Sequence, residues 1–153
     1  QNLRIDASDI DESNLFESAI ARGEYTDEEL GRIPAAIMEK YFVATDSPRR
    51  FRVSERIRSR VFFRRHDLLT LEPFATDYNL VVCKNVLLHF PPPQRVEVIR
   101  MFHRALAAGG FLATEQTQKL PEDVARLFSQ VTAEVQLFRK LEVSDDCHPP
   151  AAR

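Results

Sequence analysis

The sequence predicts an α/β fold in which helices pack on both faces of a mostly parallel sheet. Strand and helix patterns alternate from Tyr78 onward, which is typical of such sheets. The segment 78–83 is almost wholly apolar, as expected of a strand that is buried on both faces. Two short strand-like segments flank the turn Asp46-Ser47-Pro48, so a small antiparallel insertion is expected at about 41–63.

Length and composition indicate one globular domain. The 153 residues are 44% hydrophobic and 29% charged, proportions that allow a single packed core. The formal net charge of −2 gives no overall attraction to nucleic acid or to a membrane surface. No apolar run approaches the roughly 20 residues of a membrane span. We expect a cytoplasmic domain over residues 1–143 and a flexible tail over 144–153, which holds two prolines.

The first half of the chain contains short elements separated by stop signals. The predicted elements are a strand at 3–8, a helix at 14–22, a short helix after Thr26, a helix from Pro34 to 41, and strands at 42–45, 51–53 and 61–65. Gly23 ends the first helix, which Asp11 or Ser13 would cap. Thr26 and Glu29 have the spacing of a capping box, which predicts the start of the second helix.

The second half alternates strands and helices more regularly. The predicted elements are a strand at 78–83, a helix at 92–106, a turn at 108–110, a strand at 111–114, a helix at 121–129 and a strand at 133–141. Val96, Ile99, Phe102 and Leu106 recur at helical spacing and predict the buried face of the long helix.

The cysteines predict neither a disulfide nor a metal site. Cys83 belongs to the predicted core strand and Cys147 to the tail, so a bond between them is not expected. Cys147 is followed by His148, but no further cluster of cysteines and histidines completes a set of metal ligands. A reducing, cytoplasmic compartment is the simpler interpretation.

Polar residues at the ends of predicted strands are the candidates for binding. Lys84-Asn85 follows the apolar strand, and ligands of open α/β sheets bind at the carboxyl ends of strands. Asp9 also ends a strand, where a carboxylate can accept hydrogen bonds from both hydroxyls of a ribose. Capping of the next helix is the alternative role for Asp9. His66-Asp67-Leu68-Leu69 could bind an adenine edge and face, and a turn with core leucines is the alternative.

The glycines do not form a phosphate-binding or cofactor-binding loop. In the dinucleotide pattern a glycine-rich loop precedes the acidic residue by about 20 positions. Only eight residues precede Asp9, and no two of the four glycines have G-x-G spacing. Either the chain binds no nucleoside, or it lacks the strand–loop–helix unit that should come first. The second interpretation is the better one, because the sequence opens almost directly in a strand.

Three blocks of the sequence resemble the CheR-type chemotaxis methyltransferases in order and spacing, over roughly Arg4–Thr114. The blocks are ASDIDESNLFESAIARGEY, RRHDLL and VVCKNVLLHFPPPQRVEVIRMFHRALAAGG. The resemblance implies a Rossmann-like, S-adenosylmethionine-dependent methyltransferase sheet with a small β insertion. It also implies methyl transfer to glutamate side chains of bacterial chemoreceptors.

The resemblance implies roles for particular residues. Asp9 would bind the ribose hydroxyls, Asp67 and Leu68 would flank the adenine, and Lys84 and Asn85 would contact the cofactor near its reacting end.

Three of the matching positions depart from the family pattern, which usually has Asn at Asp67, Arg at Lys84 and Tyr at His89. Lysine keeps the cation but loses the planar pair of donors. Histidine keeps an aromatic ring with a polar tip, and it can titrate near neutral pH. We predict Lys84 and His89 as the catalytic residues.

The N-terminal helical domain and the glycine-rich cofactor loop of the resembled family do not occur in this sequence. We therefore expect the chain to be the C-terminal portion of a longer methyltransferase and to show no turnover by itself. A sheet edge left open where the first strand should pair could support a homodimer.

The charge of the chain is unevenly distributed. Eight arginines lie between Arg49 and Arg65, whereas the first 46 residues hold eleven acidic residues. This asymmetry predicts an acidic partner at the insertion, either the cytoplasmic part of a chemoreceptor or another acidic protein. The predicted docking residues are Arg49, Arg50 and Arg52.

Other interpretations of the arginines remain open. They could instead pair with the acidic half of the same chain. Nucleic acid is not expected, because the nearby phenylalanines alternate like core residues rather than stacking platforms. The rival to the enzyme hypothesis is a non-catalytic, methyltransferase-like module that binds an acidic protein through this insertion.

Overall fold

The computed structural model of the chain describes residues 3–116 and 119–142. The chain divides between Asp67 and Leu68 into two compact units. Both units combine strands and helices, which confirms the predicted mixed α/β class. The predicted tail at 144–153, with Cys147, lies outside the described residues.

The first unit contains a parallel pair of strands and a small antiparallel sheet. Its elements are β1 (Ile5–Asp9), α1 (Phe16–Arg22), β2 (Glu24–Thr26), α2 (Asp27–Leu30), α3 (Ala35–Tyr41), β3 (Phe42–Ala44), β4 (Arg50–Val53), α4 (Glu55–Arg58) and β5 (Val61–Arg65). Strands β1 and β5 run parallel, with Ile5 opposite Val61 and Asp9 opposite Arg65. Their carboxyl ends therefore lie at the same edge.

Two predicted helix signals of the first unit are confirmed. Gly23 ends α1 in the left-handed region, with φ 59°, and its N–H donates to the Ala19 carbonyl at 2.9 Å. Thr26 and Glu29 form the capping box of α2. The Thr26 N–H donates to Glu29 Oε2 at 2.7 Å, and the Glu29 N–H donates to Thr26 Oγ1 at 3.3 Å.

The antiparallel insertion differs from the prediction in its membership. It contains β2, β4 and β3 in that spatial order, so it includes Glu24–Thr26, which was not predicted as a strand. Val61–Arg65, predicted as a third strand of the insertion, instead pairs with β1. That prediction was wrong because the partner of a short strand is decided by contacts distant in sequence, which its own residues do not reveal.

The second unit contains one four-stranded sheet in the order β6-β7-β9-β8. Its elements are a 3₁₀ turn (Leu68–Thr70), β6 (Tyr78–Cys83), a 3₁₀ turn (Leu87–His89), α5 (Pro92–Ala105), β7 (Leu106–Thr114), α6 (Glu122–Ala125), β8 (Phe128–Gln130) and β9 (Leu137–Lys140). Strands β6 and β7 are parallel, and the other two pairs are antiparallel. Within the described residues no helix combines the length and apolarity needed to cross a membrane.

The core of the second unit joins α5 to one face of this sheet. Ile99 and Phe102 are buried, as their helical spacing predicted, whereas Val96 is only partly buried. The buried cluster comprises Cys83, Leu87, Val98, Ile99, Met101, Phe102, Leu106, Leu112, Val124, Phe128 and Phe138.

Strand β6 is covered on one face only, contrary to the prediction. Val81 and Cys83 face the core, whereas Leu80 and Val82 are 52% and 60% exposed. Phe111, opposite Leu80 on β7, is also exposed. The prediction was wrong because an apolar run reports hydrophobicity and not the number of faces that neighbouring elements cover.

The predicted turn at 108–110 is an irregularity within β7. Tyr78 pairs with Leu106, but Leu80, two residues later, pairs with Phe111. Gly109 has φ 67°, and a Cβ added at Gly110 would lie 2.8 Å from the Tyr78 carbonyl oxygen. Both positions therefore require glycine, so that β7 can keep pairing with β6 across this irregularity.

The last predicted elements are shorter than expected. The helix predicted at 121–129 is the single turn Glu122–Ala125, and Phe128–Gln130 is strand instead. The strand predicted at 133–141 is Leu137–Lys140, to which Phe128–Gln130 pairs. Strand pairing has overridden the local helical pattern here.

Replacing Leu112 by alanine should destabilise the protein far more than Leu80→Ala. Leu112 is fully buried on β7, whereas its matched control Leu80 on β6 is half exposed. We expect Leu112→Ala to lower the free energy of unfolding by about 2–5 kcal/mol and Leu80→Ala by at most about 0.5 kcal/mol. Urea denaturation followed by circular dichroism measures both losses. Equal losses would contradict the one-sided packing of the sheet.

Stability should depend on pH through His103 of α5. Its ring meets Phe128 edge-on, with centroids 5.3 Å apart, and Nε2 lies 3.1 Å from the Leu141 carbonyl oxygen. Burial lowers the pKa of His103 below its ordinary value of 6.5. The unfolded chain therefore binds the proton more readily. The contribution is fully present above pH 6.5 and is lost as the pH falls through the lowered pKa.

The measurement is the urea midpoint of wild type and His103→Gln between about pH 7.5 and about pH 5. The wild-type midpoint should fall more steeply with acid than that of the variant. Parallel curves for the two proteins would show that His103 does not contribute.

Candidate functional site

Asp9 and Asp67 lie at the same edge of the parallel pair in the first unit. Asp9 is the last residue of β1, and its carbonyl accepts the His66 N–H at 2.9 Å, just after β5. Asp67 is the next residue and is exposed. The structure thus brings together two of the predicted cofactor residues, as expected for neighbouring parallel strands.

The carboxylate of Asp9 is oriented by the main chain that follows it. Asp9 Oδ1 accepts the N–H of Asp11 at 2.8 Å. It accepts no N–H of α1, so the alternative that Asp9 caps this helix does not hold. A carboxylate offers about four lone-pair positions, so Asp9 can accept further hydrogen bonds from a ligand.

Asp11 stabilises the start of α1 through its side chain. Its side chain is 1% exposed. Its Oδ1 accepts the N–H groups of Leu15 and Phe16 at 2.9 and 3.1 Å, and Oδ2 lies 3.4 Å from the Glu17 nitrogen. Three main-chain donors at the helix start thus point at one buried carboxylate. Of the two predicted caps, Asp11 is confirmed.

Arg65 holds the loop between β1 and α1 from the neighbouring strand. It lies opposite Asp9 in the register of β5. Its Nε donates to the Ile10 carbonyl at 3.2 Å, and one terminal nitrogen donates to Asn14 Oδ1 at 3.0 Å. Asp11 and Asn14 both have left-handed backbones, with φ 42° and 55°, so the loop needs such external support.

In the second unit, Lys84 and Asn85 follow the end of β6. Cys83 lies opposite Thr114 in the β6–β7 register, so Lys84 and Glu115 leave the sheet side by side. Lys84 and Asn85 are exposed. Asn85 has φ 59°, a left-handed conformation that turns the chain sharply away from the strand.

Glu115 is a buried carboxylate at this corner. Its side chain is 5% exposed, and its Oε2 accepts the N–H of Asn85 at 3.2 Å. Its other oxygen, Oε1, is buried and has no hydrogen-bond partner among the described residues. The neighbouring Thr114 hydroxyl is likewise buried and unpartnered within the described part of the chain.

The Glu115 carboxylate also affects Cys83, the last residue of β6. Burial and the nearby Glu115 carboxylate together raise the pKa of the Cys83 thiol to about 12. Both effects disfavour a thiolate, since a second negative charge would have to enter the same buried region.

His89 lies on the 3₁₀ turn after Lys84 and Asn85, and its side chain is exposed. Arg95 of α5 supports that turn from inside. Its Nε donates to the Leu87 carbonyl and a terminal nitrogen to the Phe90 carbonyl, both at 3.1 Å. Leu87 itself is 2% exposed. The turn that carries His89 is therefore fixed by one buried leucine and one arginine.

Leu68 starts the second unit and is partly buried against its core cluster. The Lys84, Asn85 and His89 group belongs to the same unit, whereas Asp9 and Asp67 belong to the first. The roles predicted for all of these residues remain predictions.

The three predicted docking arginines lie around the start of β4. Arg49 is 3.3 Å from the Asp27 carboxylate, and its side chain is 81% exposed. Arg52 forms an ion pair with Glu24. The Arg52 side chain also donates a hydrogen bond to the Glu24 carboxylate, which lowers the pKa of Glu24. Two of the three arginines thus have acidic partners in their own unit, as the alternative interpretation expected, and their docking role stays a prediction.

Sequence reasoning missed Glu115, Arg65 and Arg95. Glu115 had the same signal as Lys84, a charged residue directly after an apolar strand, and it could have been found by that rule. Arg65 and Arg95 had no such signal, because their targets are main-chain carbonyls that the fold alone brings within reach.

Comparison with known proteins places these features in a family. Residues 1–137 match the family model described as CheR methyltransferase, SAM binding domain. This match confirms the resemblance of the three sequence blocks.

Three proteins are similar to this chain over most of its length. The "Uncharacterized 104.1 kDa protein in hypE 3'region" of Rhodobacter capsulatus is 30% identical over 91% of this chain and 14% of its own length. The probable chemotaxis protein methyltransferase of Rhizobium etli is 26% identical, over 85% and 48%. Chemotaxis protein methyltransferase 1 of Pseudomonas aeruginosa is 33% identical, over 78% and 44%. The chain thus spans about half or less of these relatives.

Similarity to solved structures is weaker. PigF with SAH aligns with 45% of this chain and 22% of its own length, at 23% identity and a TM-score of 0.35. A superposition at that level supports no inference about this chain.

Asp11→Ala should destabilise the chain, whereas Ser13→Ala should not. Asp11 accepts main-chain N–H groups at the start of α1, and the exposed Ser13 makes none of these contacts. We expect a loss of about 1–2 kcal/mol for Asp11→Ala and a change within about 0.5 kcal/mol for Ser13→Ala. Urea denaturation measures both. Similar losses would mean that Asp11 does not carry the cap.

Proposed function

Because this chain belongs to the CheR methyltransferase family, we propose that it contributes cofactor-binding and docking residues to the transfer of a methyl group from S-adenosylmethionine (SAM) to glutamate side chains of a bacterial chemoreceptor. The family match over residues 1–137 carries the proposal. The relatives named as chemotaxis protein methyltransferases support the choice of receptor substrate. Since the chain spans about half or less of these relatives, both SAM-dependent methylation and the glutamate acceptor are part of the proposal.

The donor groups at the two sheet edges suit the chemistry of this cofactor. Asp9 has a carboxylate oriented by the Asp11 N–H, which fits two adjacent ribose hydroxyls as donors. Asp67 would accept a hydrogen bond from the adenine amino group, and Leu68 would pack on the adenine face. Lys84 and Asn85, exposed after β6, would bind the methionine end.

The proposed methyl transfer requires no general base from the chain. Bound SAM supplies a methyl group that its positively charged sulfur has already activated. A glutamate carboxylate is already a nucleophile, so the protein has to align it and to exclude water rather than remove a proton. Lys84 would orient the incoming carboxylate through its charge. His89 would border the reacting group with its ring, on the turn that Arg95 fixes.

Receptor docking is proposed at the start of β4. Arg50 forms no ion pair among the described residues, and Arg49 keeps most of its side chain exposed despite Asp27. Surface ion pairs of this kind contribute little, so an acidic helix can displace them at small cost. Arg49, Arg50 and Arg52 would then meet the acidic partner together.

A non-catalytic module is the second candidate. The observation that favours it is the absence of G-x-G spacing among the four glycines of the sequence. Such a module would bind an acidic protein through the same arginines without binding SAM. Cofactor binding therefore distinguishes the two candidates.

The deciding measurement is calorimetric titration of the chain with S-adenosylhomocysteine (SAH), the product of SAM after methyl transfer. We expect micromolar binding by the wild type. Asp9→Ala should weaken it by about tenfold to a hundredfold, because hydrogen bonds to a charged carboxylate are lost. Asp46→Ala, on an exposed turn, is the matched control and should bind like the wild type.

Transfer of a labelled methyl group to a purified receptor cytoplasmic fragment tests the acceptor. We expect no turnover from this chain alone, and glutamate labelling by a protein that also supplies a glycine-rich loop. Absence of SAH binding by the wild type would contradict the cofactor role of this chain and favour the module. Labelling of any residue other than glutamate would contradict the proposed acceptor.

A further inference from the structure

Asp27 and Arg49 are connected by two contacts, one through the main chain and one through the side chains. The N–H of Asp27, the first residue of α2, donates to the Arg49 carbonyl at 3.0 Å. The Asp27 carboxylate accepts a hydrogen bond from a terminal nitrogen of Arg49 at 3.3 Å. The two contacts join the start of α2 to the turn that precedes β4.

Arg49 has a backbone conformation that favours glycine. Its φ is 58°, in the left-handed region, which a residue with a side chain adopts only at a cost in free energy. A glycine would adopt the same conformation without that cost. The Arg49 side chain is nevertheless 81% exposed and contributes little to packing within the turn. A strained residue with an exposed, charged side chain points to a role for that side chain outside the turn.

The ion pair of Arg49 with Asp27 is more easily exchanged than the neighbouring ion pair of Arg52 with Glu24. The Asp27 side chain is 54% exposed, and one terminal nitrogen of Arg49 contacts it. Glu24 lies directly opposite Arg52 in the β2–β4 register, and two nitrogens of Arg52 donate to the same Glu24 oxygen. Water and salt weaken an exposed pair with a single contact. Of the two acidic residues, Asp27 is therefore displaced by a competing carboxylate at the lower cost.

The group that Asp27 presents to Arg49 is the group that an acidic partner would present. Under the proposed function, on which this inference rests, Arg49 meets acidic side chains of the receptor. A carboxylate that approaches Arg49 must displace Asp27 or lie beside it. In either case two negative charges come close together, and their repulsion opposes docking.

We propose that Asp27 is an internal competitor of the acidic partner, and that it occupies the position on Arg49 that a partner carboxylate takes on docking. Docking then exchanges one carboxylate for another on the same guanidinium. The affinity for the partner is set by the difference between the two ion pairs, and not by the attraction of a free arginine. Removing the Asp27 charge should therefore tighten docking, although it removes an ion pair from the protein.

The test is the affinity of the whole chain for a fluorescently labelled chemoreceptor cytoplasmic fragment, measured by fluorescence anisotropy in wild type, Asp27→Asn and Glu28→Gln. Asparagine removes the charge and keeps the main-chain N–H that donates to Arg49. Glu28, the next residue, is exposed and forms no ion pair in the part of the chain that the structure describes. We expect Asp27→Asn to lower the Kd by about twofold to fivefold and Glu28→Gln to leave it within about 1.5-fold.

A double-mutant cycle separates the ion pair from the general effect of charge. Arg49→Gln removes the arginine for which Asp27 competes. The gain from Asp27→Asn should disappear in the Arg49→Gln background, because no arginine is left there to be freed. A gain that persists in that background, or an equal gain from Glu28→Gln, would show that only the total charge matters and would overturn the proposal.

The remaining outcomes separate this inference from the function on which it rests. Circular dichroism checks the folding of each variant, and Asp27→Ser, which removes the same charge, replaces Asp27→Asn if that variant does not fold. If the wild type binds the fragment and the variant without the Asp27 charge binds it no more tightly, the competitor role is refuted and docking stands. If neither form binds the fragment, the docking part of the proposed function fails, and the inference fails with it.

Discussion

Parallel pairing of neighbouring strands is the constraint on which both candidate edges depend. In the first unit β1 pairs with β5, and in the second β6 pairs with β7, each in parallel. Parallel strands end at the same edge, so residues far apart in sequence meet where the strands stop. Asp9 meets His66 in this way, and Asn85 meets Glu115. Without the parallel register neither pair would be adjacent.

At both edges a buried carboxylate stabilises a sharp turn of the main chain. A chain that leaves a strand sharply enters the left-handed region, as Asp11, Asn14 and Asn85 do, and each such residue costs on the order of 1 kcal/mol or more. In each unit a buried carboxylate accepts main-chain N–H groups of the corner. Asp11 does so at the start of α1, and Glu115 does so at Asn85. Among the described residues, Asp11 accepts hydrogen bonds from three main-chain N–H groups and Glu115 from one.

The sequence predicted the α/β class, most elements and the polar residues at strand ends, because apolar runs and capping signals are local. It could not predict which strands pair. Val61–Arg65 was therefore assigned to the wrong sheet, although its bounds were correct. It could not predict that Leu80 and Val82 lie on an uncovered face, because a leucine has the same hydrophobicity on either side of a sheet. The contact of Glu115 with Asn85 depends on the β6–β7 register, which no local pattern encodes.

Cys83 is the last residue of β6 and directly precedes Lys84, yet its thiol is unreactive toward oxidants. Burial and the Glu115 charge raise the pKa of its thiol to about 12, and the side chain is 6% exposed. Oxidants and disulfide exchange act on the thiolate, which such a cysteine does not form near neutral pH. The end of β6 can therefore hold a cysteine beside Lys84 without becoming sensitive to peroxide. The buried Glu115 carboxylate thus helps to protect this end of β6 from oxidation.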